Sequence, residues 1–438
     1  MRYRESGLLV FTVMAGFLCA ATAADNPHSR KPRFVKFDVP GAGTGYGQGT
    51  IPIDINPAGE VTGTIIDANN ALHGFVRDKR GEITVFDDPN AGTSSGQGTY
   101  SYAINAEGAV TGFYTDASGI NHGYVRSARG EITNFDAPDA GTGSGQGTFP
   151  LGQENINASG AVAGEYIDSN DNVHGFVRDS GGAFEEFDVP GELGTAAYAI
   201  NAPGTTTGYY IDSNDILLGF VRSSKGQFTR FVVPGPIQGC GAEYINNAGW
   251  IIGWWWDANF VNHGFVRDPH GKITKFDPPG SGTGTGTIAW SINDQEVISG
   301  QYQDASGMFH GFVRTADGRF IEYDVPGAGI GLYQGTEPSV MNNAGVVSGA
   351  YVDENTASHG FVAYGFTNLD TLPEVGGALD DQGLINVESA TTQAPNWTTQ
   401  RPEPKSGRVI AKGQDARESR PAPPTPGGIF AIGPDNWR

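Results

Sequence analysis

Six histidines with aspartates close by in the chain are the residues here best suited to chemistry: His73, His122, His174, His263, His310 and His359. The aspartates come in two sets. Asp67, Asp116, Asp168, Asp212, Asp257, Asp304 and Asp353 open short turns, whereas Asp38, Asp87, Asp136, Asp188, Asp277 and Asp324 lie in Phe-Asp-x-Pro-like segments. Imidazole beside carboxylate suggests a metal centre, but a metal needs three or four ligands converging on one ion at about 2–2.5 Å. Residues that recur once per copy of a ring are spread around it instead. The pattern therefore points to a building role, with each histidine hydrogen-bonded to a neighbouring turn or carboxylate and tying adjacent strands. No metal and no cofactor is expected.

Other motif-like strings dissolve in the same way. The turns at 116–119 and 168–171 resemble fragments of calcium loops, yet they lack the length and the distal bidentate Glu. An Asp opening a tight turn accepts backbone N–H bonds from two residues on, which accounts for it. The Gly-rich connections 41–50, 92–99 and 141–148 have no Lys-Ser/Thr and start no helix, so they are not phosphate cradles. Gly92-Thr93-Ser94-Ser95-Gly96 spells a nucleophile elbow without the strand-turn-helix that the motif requires.

Breaks in the repetition are the better guide to function. The connections Pro190 to Asn201 and Pro234 to Asn246 are shorter than Pro40 to Asn56 and Pro89 to Asn105, which predicts a notch in one rim. Leu218 and Val232 stand where the other copies have their His and strand Asp. The next copy carries Trp250, Trp254, Trp255 and Trp256, with Trp290 one copy on. Trp255 falls in a core column, but Trp254 and Trp256 point to the opposite sheet face, where other copies have Thr64, Glu165, Gln301 or Thr115. Flat aromatic faces beside a notch, with carboxylates nearby, suit stacking against sugar rings; a larger core filled at this place is the plainer alternative. Trp254, Trp256, Asp212 and Asp257 are the candidate ligand-binding residues. Trp250 is expected on the other face of the ring, and no residue is assigned as catalytic.

These side chains are positioned by seven copies of one sentence: Ile-Asn, Gly-x-Val-x-Gly-x-Tyr-x-Asp, His-Gly-Phe-Val-Arg, Ile-Thr-x-Phe-Asp-x-Pro. The Asn marks fall at Asn56, Asn105, Asn157, Asn201, Asn246, Asn293 and Asn342, spaced 44 to 52 residues apart. That is the period of a four-stranded propeller blade and too long for a turn of β-solenoid. In the second copy, Tyr102 to Asn105, Ala109 to Thr115, Asn121 to Arg126 and Glu131 to Phe135 read as strands a to d, with Gly at the turns. The b–c turns and d–a connections then share one face of the ring. Two columns of large side chains should pack between blades: Ile65 to Tyr351 in strand b and Phe75 to Phe361 in strand c. The first Phe-Asp-x-Pro segment precedes the first Ile-Asn, and the last His-Gly-Phe-Val has none after it. The expectation is an all-β, seven-bladed β-propeller of four-stranded antiparallel blades, its ring closed by the N-terminal strand Phe34 to Val39.

The flanks and the bulk composition set the location. Residues 1–23 read as a secretory signal, with Arg2 and Arg4, an apolar run and Ala21-Thr22-Ala23 at the cleavage site. Residues 24–33 form a leader, 34–366 the repeats, and 367–438 a Pro-rich tail expected to be disordered. No later stretch is apolar enough for a membrane span. Loss of the signal removes Cys19 and leaves Cys240 without a disulfide partner. A formal charge of −21 excludes nucleic acid or an anionic membrane as partner.

The stretch Ile-Asn-x-x-Gly-x-x-x-Gly followed by His-Gly-Phe-Val resembles the bacterial "probable extracellular repeat" family named for its His-Ala-Phe signature. The resemblance covers about residues 34–366 and is that of a divergent branch, with Gly where the signature has Ala. It implies export and repetition and no reaction. The expectation is a monomeric, secreted or periplasmic binding or scaffold module for a glycan or protein ligand. The alternatives are a secreted polysaccharide lyase or glycosidase using Asp212 or Asp257 as acid or base, and a structural envelope component displayed by its tail.

Overall fold

The computed structural model describes residues 32–366 and the backbone of Ile385–Asn386. The signal segment, the leader up to residue 31 and the rest of the tail lie outside the described residues. Strands account for the architecture throughout, and among the described residues no helix is long and apolar enough to cross a membrane.

In the second copy the strands are Gly98–Ile104, Val110–Thr115, Asn121–Arg126 and Ile132–Phe135, each antiparallel to the next. Copies four and five each form a separate four-stranded sheet of this kind. Strand a begins at Gly98, four residues before the expected Tyr102. The Gly-Thr that ends the connection is therefore the start of a strand. Gly98 makes a parallel bridge to Leu72 of the preceding copy, and a Cβ there would lie 2.0 Å from the Leu72 carbonyl oxygen. Thr99 next to it accepts the Asp88 N–H at 2.9 Å. Thr50, Thr148, Thr195 and Thr336 accept from Val39, Ala137, Val189 and Val325 in the same way. What reads as a flexible connection is thus a clamp between strand d of one copy and strand a of the next.

Packing between copies is aromatic. The strand-c residues Phe75, Tyr124, Phe176, Phe220, Phe265, Phe312 and Phe361 are fully buried. The strand-d phenylalanine of the preceding copy meets Tyr124, Phe176, Phe220, Phe265 and Phe312 edge-on: Phe86–Tyr124 and Phe135–Phe176 centroids are 6.2 and 6.3 Å apart. The strand-c Arg covers the other face of that ring, with Arg126 4.6 Å from the Phe86 centroid and Arg178 4.8 Å from that of Phe135. Such aromatic and cation–π contacts contribute roughly 0.5–1.5 kcal/mol each beyond the area they bury.

Among the described residues the last copy supplies Gly335–Met341, Val347–Val352 and Ser358–Tyr364. The N-terminal strand Arg33–Phe37 pairs antiparallel with Ser358–Tyr364, setting Phe37 opposite Gly360. Phe37 then meets Phe75 edge-on at 6.2 Å, with Arg77 4.9 Å from its centroid, so the two ends of the array repeat the contact made between neighbours. Ile385–Asn386 runs parallel to Val35–Lys36 along the free side of that strand.

Candidate functional site

The histidines are held between two carboxylates. Nδ1 of His73, His122, His174, His263 and His310 lies 2.8 to 3.0 Å from Asp87, Asp136, Asp188, Asp277 and Asp324. Nε2 lies 3.5 to 3.8 Å from the turn aspartates Asp67, Asp116, Asp168, Asp257 and Asp304. His359 takes Asp38 of the N-terminal strand at 2.8 Å, so the clasp spans the two chain ends. The rings of His122, His174, His263, His310 and His359 also lie flat on the strand-b aromatic, as in Tyr114–His122 at 4.9 Å and Trp255–His263 at 4.3 Å, whereas His73 stands opposite Ile65. The hydrogen bond to the strand-d Asp raises His73, His122, His263 and His359 above the usual imidazole range, against the opposing effect of burial.

Asp212 and Asp257 sit in b–c turns of successive copies. Oδ1 of Asp257 accepts the N–H groups of Asn259 and Val261 at 2.8 and 3.0 Å; Oδ1 of Asp212 accepts those of Asn214 and Ile216 at 2.8 and 2.9 Å. Desolvation pushes both carboxyls up, but these donors outweigh it and hold both below the usual range. Asp116 and Asp353 make the same turn bonds, so the two candidates are chemically ordinary members of their set.

The tryptophans are not ordinary. Trp254 and Trp256 share one sheet face with centroids 4.5 Å apart, and Trp256 continues to Phe260 at 6.2 Å. Both tryptophans are partly exposed, as is Phe260. Room for them comes from strand a of the same copy, where Gly239 and Gly241 carry no side chain: a Cβ on Gly241 would lie 2.7 Å from Trp254 Cζ2. Trp254 donates its Nε1–H to Glu243 at 2.5 Å. Trp255 faces the other way, with Lys275 Nζ 3.7 Å from its centroid. Asp257 and His263 line a surface cavity of about 510 Å³ with Asp277, Ser281 and Thr283. This hollow lies on the connection that leaves copy five, one position beyond the short connections that predict the notch. Trp250 packs against the core cluster of Tyr244 and Ile252, and its N–H bonds Asn246.

A second polar centre, which the repeat pattern hides, lies where the strands a meet. Asn56, Asn105, Asn157, Asn201 and Asn246 each donate Nδ2–H to the backbone carbonyl of the next Asn mark at 2.9 to 3.2 Å, and Asn342 donates to that of Asn56 at 3.1 Å. Asn56, Asn105, Asn157, Asn246, Asn293 and Asn342 line a cavity of about 130 Å³ together with Asp54, Glu154, Tyr244 and Asp294. Tyr244 donates its hydroxyl to Glu154 at 2.7 Å across 90 residues of chain. Asp54 accepts the N–H groups of Ile55 and Ile104, each at 2.7 Å. Burial drives Asp54 well up and raises Glu154 and Glu243 each to about 7. The signal was the 52-residue step from Asn105 to Asn157: it contains three extra residues, Gly152-Gln153-Glu154, which place the Glu154 carboxylate among the Asn marks.

No protein-family model matches the chain, and no curated protein matches it. Solved structures do. Virginiamycin B lyase from Staphylococcus aureus is similar at 15% identity over 76% of this chain and 100% of that one, with a TM-score of 0.51. The β-propeller domain of the Trilobed protease from Pyrococcus furiosus is similar at 8% identity over 78% and 100%, with a TM-score of 0.49. The BP39L lectin from Burkholderia pseudomallei follows at 10% identity over 75% and 97%, with a TM-score of 0.44. At these identities the likeness speaks to fold alone. With the strand pairing above, it makes this an all-β protein of the β-propeller class.

Proposed function

We propose that the chain is an exported, monomeric, seven-bladed propeller, closed into a ring by Arg33–Phe37, that serves as a non-catalytic binding module for glycan. Three contacts support closure, because each repeats across the chain ends what neighbouring copies do: Phe37–Phe75, Asn342 to Asn56, and His359–Asp38. Export, to the periplasm or beyond, rests on the first 23 residues and the family resemblance.

One observation carries the ligand class: the partly exposed Trp254–Trp256 pair, continued by Phe260, occurs in copy five alone. Aromatic faces take up the C–H faces of a sugar ring; the hollow of Asp257, His263 and Ser281 lies on the opposite face of the sheet, with Trp255. A glycosidase or lyase would need a carboxyl kept protonated near neutrality at the rim. Asp212 and Asp257 are held the opposite way.

A glycan array followed by titration of tryptophan fluorescence tests this. The expected outcome is binding that weakens about tenfold in Trp254→Ala and in Trp256→Ala, with the far-ultraviolet spectrum unchanged. Binding at background, or indifferent to both substitutions, removes the glycan reading. Polysaccharide turnover that disappears in Asp257→Asn and survives in Asp116→Asn replaces the module with an enzyme.

A further inference from the structure

We infer a second small-molecule site, separate from the tryptophan face, between copies two and three, for a single uncharged polyhydroxylated ring such as a neutral monosaccharide unit. A cavity of about 280 Å³ opens there on the face of the d–a connections. Tyr100, Phe113 and Phe149 line it, with Tyr100 stacked on Phe113 at 4.5 Å and Phe149 edge-on at 5.3 Å. Gln97, Thr115, Asn121, Ser118 and Ser144 contribute amides and hydroxyls, and no lining residue is charged. In a chain of net charge −21 that neutrality is selective, since it offers an ionised ligand no partner. The volume is near the lower end of the roughly 300–1,000 Å³ usual for small-molecule sites, which limits the ligand to about one ring.

Comparison with another junction shows why the cavity exists. Between copies six and seven the equivalent space is occupied by Phe309 and Tyr333, centroids 6.4 Å apart, and by Leu332, which lies over Gly307. Between copies two and three those places hold Asn121, Gly145 and Ser144, and Ser144 lies over Gly119. Small polar residues thus stand where the other junction puts three bulky ones.

Gly119 has a second effect. In copies one and three its place is taken by Asn70 and Asp171, which accept the carboxamide N–H of Gln48 at 2.9 Å and of Gln146 at 2.7 Å. Gln97 keeps only the other half of this arrangement, its Oε1 accepting the Ser94 N–H at 3.2 Å. With glycine opposite, its NH2 group lacks the side-chain acceptor that holds its counterparts. A donor released in this way, above an aromatic floor, suits a ring hydroxyl.

The test uses the full chain, with calorimetry and saturation-transfer NMR on methyl hexopyranosides and on a methyl uronide. Expected are binding of a neutral hexoside with Kd of about millimolar order, as one ring allows, and weaker response from the uronide. Ser144→Leu, which copies Leu332 onto an exposed position, should weaken binding at least tenfold without moving the thermal midpoint. Gln97→Ala should weaken it severalfold. Trp254→Ala should leave it unchanged, so that failure of the tryptophan site and failure of this one are read separately. Absence of hexoside binding, equal uronide binding, or a wild-type response from Ser144→Leu overturns the inference.

Discussion

Strand c and strand a of the same seven copies follow opposite rules. Along strand c the chain writes nearly one sequence, and each copy buries a Phe or Tyr there, six of them edge-on against a strand-d phenylalanine. Along strand a, the first residue skipped at the register shift reads Ile53, Tyr102, Tyr198, Glu243, Trp290 and Ser339, with Leu151 at the matching place in copy three. The difference follows from geometry. Strand c sits between two others and meets the same kind of neighbour in successive copies, so its repetition is a condition of their packing. Strand a borders the space where side chains from all copies meet: the Asn marks repeat there, each bonding the next, while the residues before them differ from copy to copy. Regularity holds neighbouring copies together, and variety fills the space between their strands a.

The sharpest way to break this comparison is at the closing contact. Phe37 and Phe135 are both buried, both meet a strand-c Phe edge-on, and both lie under an Arg. If the N-terminal strand is a full member of the ring, Phe37→Ala and Phe135→Ala should each cost about 3–5 kcal/mol in urea unfolding, with one cooperative transition. An open array would give a small loss for Phe37→Ala alone, through fraying of one end.

A smaller effect is expected at the centre. Glu154 and Glu243 have folded pKa values raised to about 7, so they bind more protons folded than unfolded. Their contribution is complete below the ordinary carboxylate value near 4.5 and is lost as pH rises towards 7. Stability should therefore fall over that interval, and Glu154→Gln or Glu243→Gln should flatten the fall. Because both carboxylates keep some contact with solvent, the gain at pH 8 should be no more than about 2 kcal/mol each. Thermal melts from pH 4 to pH 8 measure it; parallel curves for wild type and variant would show that neither group titrates in this range.

This contrast also explains what could be read from the chain. Period, strand order and the clasp of His122 by Asp116 and Asp136 were legible, because each is written six or seven times and repetition averages out accident. The early start of strand a was not: Gly98-Thr99 looks like loop chemistry, yet it pairs with Thr115 and Tyr114 of strand b and bridges Leu72 across the junction. The axial pair Glu154–Tyr244 was illegible for another reason. Its members are 90 residues apart, and although the extra residues 152–154 mark Glu154, nothing near Tyr244 in the chain points to it as the partner. The tryptophan face was visible as a departure in sequence, but the space made by Gly239 and Gly241 was not.

The smallest effect separates the two kinds of histidine neighbour. Copy four has Leu218 in place of the clasped imidazole, so His122→Leu tests how much the clasp matters where the sequence itself has dispensed with it. His122 is raised chiefly by its bond to Asp136, and a raised folded value stabilises below the unfolded value near 6.5, the benefit vanishing as pH climbs through the folded one. Asp136 is half exposed, so solvent screens the pair and the cost of His122→Leu should stay under about 1 kcal/mol at pH 5.5. At pH 8.5 it should shrink to the packing difference over Tyr114. A larger cost at pH 8.5 than at pH 5.5 would mean that the imidazole holds its two strands as a neutral donor, and that its repetition reflects hydrogen-bond geometry rather than charge.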